Sequence, residues 1–263
     1  MLTMDFSAAD EPRSARLAGK MRVLSFASRA EMGEAAGAAI ATELVARLGR
    51  QAEVRMIFAA APSQSEALAR LVRQPGIDWT RVTAFHMDEY IGLPDAAPQR
   101  FAKWLDAHIF GRLPFRAVHR ILPEPDPVAA AAQYAARLAD APIDAVVLGI
   151  GVNGHVAFND PPVANFADPL DVKVVVLDAE CRQQQVDDDC FARIEDVPRE
   201  AITLTVPRLL RAEKLFCVVP GPMKRDAVQQ TLHGPISTAC PASILRQHPD
   251  CTLFLDSESD PDA

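Results

Sequence analysis

Hydrophobic and polar positions alternate in two rhythms along this chain. Glu53–Ala60 (EVRMIFAA), Arg81–Met87 (RVTAFHM) and Ile143–Gly149 (IDAVVLG) are short and almost continuously apolar, as expected of strands covered on both faces. VKVVVLD, AITLTV, KLFCVV and CTLFLD add four more strands. Between them lie helical patterns. Ser28 caps a predicted helix through Leu48, stopped by Gly49. Ser63 and Glu66 form an S-x-x-E box predicted to open a helix toward Gln74. Further helices are predicted from Pro98 through Phe110, over Ala129–Asp140, and over PMKRDAVQQTLHG, which Gly234 closes. The repeated β–α order predicts a single α/β domain: an open, doubly wound, mostly parallel sheet with helices on both faces. Ligands of such sheets gather at the carboxyl ends of the strands.

The domain is expected over residues 21–256, between a flexible polar segment at 1–20 and an acidic tail at 257–263, SESDPDA. The PEPDP run at Pro123 to Pro127 is expected to be a stiff turn within the domain. The chain has 263 residues, 49% of them hydrophobic, enough for a core that needs no covalent staple. Its net charge of −8 disfavours a nucleic-acid partner, although a few local cations can still bind one phosphate. Five cysteines without a C-x-x-C pair argue against a disulfide framework or zinc ribbon and point to the reducing cytoplasm. The N-terminus lacks the apolar core of a secretory signal, and no apolar run is long enough for a membrane span.

Two strand ends carry chemistry. The first is FHMDEYIGLP, where Asp88 and Glu89 follow a strand. A lone DE pair is as readily a turn starter and a solvated acid as a base. The second is GIGVNGHVAFNDPP, residues 149–162. Its glycines, Gly151 and Gly154 among them, allow a sharp turn and close approach to a ligand. His155 then sits at the mouth of the sheet, with a pKa suited to moving protons near neutrality. Asn153 and Asp160 are polar neighbours able to orient its ring. The spelling also matches G-x-G-x-x-G, but HVAFNDPP replaces the helix that a dinucleotide fingerprint needs, so that alternative is disfavoured.

Together, MDEYIGLP and G-x-G-x-N-G-H-x-A-F-N-D-P resemble the glucosamine-6-phosphate deaminase (isomerase) family, which shares its fold with the 6-phosphogluconolactonases. The resemblance extends more loosely from Val23 to Leu255. It implies that Asp88 abstracts the C2 proton and returns one to C1, and that His155 opens the pyranose ring, supported by Asn153 and Asp160. It also implies that Arg182 in AECRQQQ and Lys224 in VPGPMK bind phosphate. The chain departs from the family in three places. Asp160 stands where Glu is usual and loses one methylene of reach. AAAPSQSE at 59–66 replaces a glycine-rich phosphate loop, leaving Ser63 and Gln64 at a predicted helix start to attract an anion. VANFADPLD is acidic where allosterically activated members are basic.

The implied reaction converts glucosamine 6-phosphate and water to fructose 6-phosphate and ammonia. Proton transfer by Asp and His needs neither a metal nor a nicotinamide. Two alternatives stay open: a 6-phosphogluconolactonase-type hydrolase and a non-catalytic sugar-phosphate sensor. The expected partner is a small-molecule sugar phosphate, not nucleic acid or membrane, and the reading admits a homo-oligomer. His86 is expected to be structural. The run Asp187 to Asp189 is expected to be a charged turn.

Overall fold

Strands β7 (Ala145–Leu148) and β10 (Lys214–Val219) show how the main sheet is covered. Val146, Leu148, Leu215, Cys217 and Val219 join one buried cluster, while Ala145, Val147, Phe216 and Val218 join another. Successive side chains of a strand point to opposite faces, so each continuously apolar strand serves two cores at once. The structure is a computed structural model that describes residues 11–263.

The remaining elements, in chain order, are β1 (Ser14–Ala18), β2 (Met21–Phe26), α1 (Arg29–Leu48), β3 (Val54–Phe58), α2 (Ser65–Arg73), β4 (Val82–His86), β5 (Asp88–Tyr90), α3 (Phe101–Leu105), β6 (Ala117–His119) and α4 (Pro127–Ala139). Then come β8 (Val172–Val176), α5 (Ala179–Asp187), β9 (Glu200–Leu204), α6 (Val206–Leu210), α7 (Arg225–His233) and β11 (Cys251–Asp256). The main sheet has eight strands in the order β1-β2-β11-β10-β7-β3-β4-β6. All neighbouring pairs are parallel except β1 with β2. Helices α1 and α2 bury Met32, Ile40, Leu44 and Leu68 on one face; α4 and α7 bury Tyr134, Leu138, Val228 and Leu232 on the other. The doubly wound α/β expectation holds.

Four expectations need correction. VKVVVLD and AITLTV do not enter the main sheet. As β8 and β9 they form, with β5, a separate three-stranded antiparallel sheet ordered β5-β9-β8. Its aromatic core holds Tyr90, Phe158 and Phe191. The capping box at Ser63 is not made: residues Pro62–Gln64 form a 3-10 turn ahead of α2, and Glu66 pairs with Arg29 instead. The helix expected from Pro98 through Phe110 is only α3 followed by a wider π turn, Asp106–Phe110.

The two ends of the domain are also more ordered than expected. Residues 1–10 of the segment read as flexible lie outside the described residues, but Ser14–Ala18 pair with Met21–Ser25 as a hairpin. The acidic tail is not free either. Asp260 is buried against Arg16 at 2.5 Å, and Ser259 is fully buried beside Asp256. The tail's charge is therefore spent on an ion pair that a composition-based reading could not anticipate.

Candidate active site

The carboxyl ends of β4, β3, β7 and β10, neighbours in the middle of the main sheet, surround a cavity of about 630 Å³. The chain leaves β4 at His86, passes Met87, and enters the small sheet at Asp88. Strand parity then divides the DE pair. Asp88 lines the cavity. Glu89 is fully buried the other way and accepts the backbone N–H groups of Phe101 and Ala102 at 3.1 and 3.0 Å, capping α3. Neither acid is the turn starter or the solvated residue that a bare DE pair suggests. Asp88 is 6% exposed, and its carboxylate has no hydrogen-bond partner among the described residues. Burial, with the nearby Glu89 charge, pushes its carboxyl well above the usual range.

The loop after β7 brings His155 to the same cavity. Its Nδ1 lies 2.8 Å from Asn153 Oδ1 and 2.9 Å from Asp160 Oδ1. Both are acceptors, so the proton is assigned to Nδ1 and Nε2 is left with a free lone pair. Asp160 therefore reaches the imidazole despite its missing methylene. Burial alone would raise the Asp160 pKa, but hydrogen bonds from His155, the Asn153 amide (3.1 Å) and the Asp178 N–H (3.3 Å) hold it below the ordinary value. Two glycines make room. A Cβ on Gly151 would stand 2.2 Å from His155 Nε2, and Gly154, at φ +80°, would drive one to 2.6 Å from Cys240 Sγ. The loop is then clamped to the small sheet, where Phe158 N donates to Thr203 Oγ1 and Asn159 Nδ2 to Leu204 O.

Of the expected anion-binding residues, Ser63, Gln64 and Lys224 line the cavity. Lys224 is 7% exposed and has no ion-pair or hydrogen-bond partner for its ammonium among the described residues. Burial lowers its pKa. Gln64 is fully buried; its amide donates to Ser63 Oγ and Val218 O, and its Oε1 has no partner. Arg182 is not part of the cavity. Its guanidinium donates to the carbonyls of Ile194 and Val197, tying α5 to the following turn, so its expected phosphate role is withdrawn. Asn153, Asp160 and Gly154 stand behind His155 and shape its position from there. His86 is structural, as expected: burial takes its pKa down to about 3, and its Nε2 accepts the Ile121 N–H at 2.8 Å.

Sequence reasoning missed Arg29, whose side chain lines the cavity while donating to Glu66 and the Pro62 carbonyl. Its place directly after β2 and the Ser28 cap was the available signal. It also missed Asp188 and Asp189, which are part of the cavity wall and not only a charged turn.

A buried carboxylate and a His–carboxylate pair thus share one cavity at the carboxyl ends of an open α/β sheet. The family model for glucosamine-6-phosphate isomerases and 6-phosphogluconolactonases matches residues 27–254. The chain belongs to that family. A glucosamine-6-phosphate deaminase of Listeria welshimeri is 34% identical over 227 residues, covering 85% of this chain and 94% of its own. A monomeric glucosamine-6-phosphate deaminase of known structure superposes with a TM-score of 0.81 at 25% identity, over 90% of this chain and 98% of that one. A 6-phosphogluconolactonase of Shewanella baltica superposes at 0.75 with 17% identity, over 92% and 100%, which shows the shared fold alone. Within the family this chain is a glucosamine-6-phosphate deaminase-like enzyme. Among the described residues no helix is long and apolar enough to cross a membrane.

Proposed function

We propose that the enzyme converts glucosamine 6-phosphate and water to fructose 6-phosphate and ammonia. The observation that carries this reading is the unpartnered, buried Asp88 carboxylate in one cavity with a tautomer-fixed His155. A raised carboxylate pKa suits a group that must take a proton from carbon and give it back.

His155 Nε2 moves the proton between the ring oxygen and the C1 hydroxyl, opening the pyranose, with Asp160 steadying the transient imidazolium. Asp88 takes the C2 proton of the open aldose and returns a proton to C1. The nitrogen at C2 is then a ketimine, which water hydrolyses to the ketone and ammonia. Lys224, with Ser63 and Gln64, holds the 6-phosphate. Each step is a proton transfer or hydrolysis, and no electron changes hands.

Lactone hydrolysis on the same fold would use His155 to activate water and would have no task for a base at C2. One experiment separates the readings. In deuterated water, glucosamine 6-phosphate should give ammonia and a ketose carrying deuterium at C1, and 6-phosphogluconolactone should be hydrolysed no faster than in buffer. Rapid lactone hydrolysis that survives Asp88→Asn would overturn the proposal, and sugar-phosphate binding with neither reaction would point to a sensor.

A further inference from the structure

The tyrosine of MDEY has no task in the chemistry proposed above, and its surroundings account for a second side chain. Tyr90 lies two residues beyond Asp88 on β5, so both side chains leave the strand on the same face. Its ring is fully buried among Phe101, Phe158 and Phe191. A buried phenol needs an acceptor for its proton. The Tyr90 hydroxyl donates to Gln185 Oε1 at 2.8 Å and has no other partner among the described residues.

Gln185 belongs to α5, whose buried residues are Cys181, Gln184 and Gln185, all on one face of the helix. The two glutamines differ in what they leave over. Gln184 is used at both ends: its Nε2 donates to Asp188 at 3.1 Å, and its Oε1 accepts the Val152 N–H of the His155 loop at 2.9 Å. Gln185 is used at its oxygen alone. The phenol proton fixes that orientation, because turning the amide over would leave the Tyr90 hydroxyl with no acceptor. The Nε2 donors then have no partner among the described residues. Gln185 is 7% exposed and lines the cavity. Its Nε2 is not one of the partnerless atoms sealed from solvent, so it keeps accessible surface. A mostly buried amide that shows its N–H donors to a cavity calls for an acceptor on the ligand.

We infer that Gln185, oriented by Tyr90, is a specificity-determining residue that donates to a hydroxyl oxygen at C3 or C4 of the sugar. The inference rests on the deaminase reading of Asp88 and His155 and adds a contact to that same site. In that reading the other substrate groups are already met: C1 and the ring oxygen by His155, C2 by Asp88, the 6-phosphate by Lys224. An ammonium at C2 has no lone pair with which to accept the amide proton, whereas the C3 and C4 hydroxyls do. A sugar lacking the matched hydroxyl would leave the N–H unpaired in a nearly closed wall, and a site built on such a bond rejects that analogue.

The test measures kcat/KM for glucosamine 6-phosphate and for its 3-deoxy and 4-deoxy analogues in the wild type, Gln185→Glu and Gln185→Met. Glutamate keeps an acceptor for Tyr90 and loses the donor; methionine loses both. In the wild type one deoxy analogue should be poorer than the parent by about tenfold, the scale of one buried neutral hydrogen bond, and the difference should lie mainly in KM. In both variants the parent should fall to the level of that analogue, so that removing the hydroxyl costs nothing more. The position whose penalty vanishes, C3 or C4, is the one that Gln185 holds. A wild type indifferent to both deoxy sugars, or a penalty that persists in the variants, would make Gln185 structural and overturn the inference. Should Gln185→Met fail to fold, Gln185→Glu decides alone, since it preserves the bond to Tyr90. If no amino-sugar phosphate is turned over, the deaminase reading has failed. Calorimetric binding of fructose 6-phosphate and its 3- and 4-deoxy analogues to the same proteins then decides: a penalty that vanishes in the variants sustains the contact, and one that persists refutes it.

Discussion

Thr203 stands directly opposite Asp88 in the register between β5 and β9, and its hydroxyl accepts the backbone N–H of Phe158, three residues beyond His155. One fully buried side chain thus links the partner strand of Asp88 to the loop of His155. Thr203→Val keeps the shape but leaves the Phe158 N–H unpaired, at a cost of about 1–3 kcal/mol. Unfolding should show that loss, and turnover should fall more than substrate binding does, because the two groups lose their common anchor. Wild-type turnover in this variant would mean that the spacing is set elsewhere.

Asp88→Asn should lower turnover by roughly 100-fold or more while the fold is kept, the range for losing a general base. Its effect on stability has a definite sign. The folded-state pKa of Asp88 is raised, so above the ordinary carboxylate range the unfolded chain releases a proton that the folded one retains, and stability falls as pH rises. The variant should therefore melt higher than wild type near about pH 8, with the gap closing as pH falls below the unfolded carboxylate pKa. A lower melting temperature at every pH would show the carboxylate to be structural.

Asp160 behaves in the opposite sense. Its folded-state pKa is depressed by the bonds from His155 and Asn153, so its contribution is present above the unfolded pKa and fades as pH drops through the folded one. Asp160→Asn should remove that acid-sensitive component from the melting curve. It should also lower turnover of the cyclic sugar more than C2 proton exchange on an open-chain analogue, since ring opening is the step proposed for His155. Equal loss of both reactions would give the His155 loop a wider part.

Lys224→Ala and Arg182→Ala should separate cleanly. The first removes the unpartnered cation of the cavity, so binding of phosphorylated sugars should weaken far more than that of unphosphorylated ones. The second removes the tie between α5 and the turn at 194–197; it should lower the melting temperature and leave the phosphate preference alone. A shift in preference from Arg182→Ala would return that residue to the binding site.

Activity should survive exhaustive dialysis against a chelator. His155, Asp160 and Cys181 place ligand atoms within 4.8 Å of one another, but proton transfer by His155 and Asp88 does not call on a metal. Loss on chelation with recovery on adding one divalent ion would make that buried grouping a metal centre.

Much of this was legible in the chain itself. Strands such as Ala145–Leu148 declare themselves because both faces are covered, and MDEY and NGH are local motifs whose geometry follows from the strand ends that carry them. Arg182 and Asp188 were misjudged for one reason. They lie six residues apart on and just beyond α5, which has almost no apolar face, and nothing local says which side meets the cavity. The second sheet was hidden because β5 is only three residues long and is recognisable only through its pairing with β9. The Ser63 capping box failed because Glu66 found a stronger partner in Arg29, a contact between residues 37 positions apart.

Met87 alone separates the main sheet from the small one. Asp88 and Glu89 are thereby locked in phase: one acid faces the cavity and the next caps a helix, and only the parity of the strand distinguishes them. Inserting or deleting a single residue there would turn Glu89 toward the cavity and take its carboxylate away from the α3 N–H groups it now accepts. A junction between sheets is normally where a chain tolerates changes of length. Here it is the place where the frame of the molecule is set.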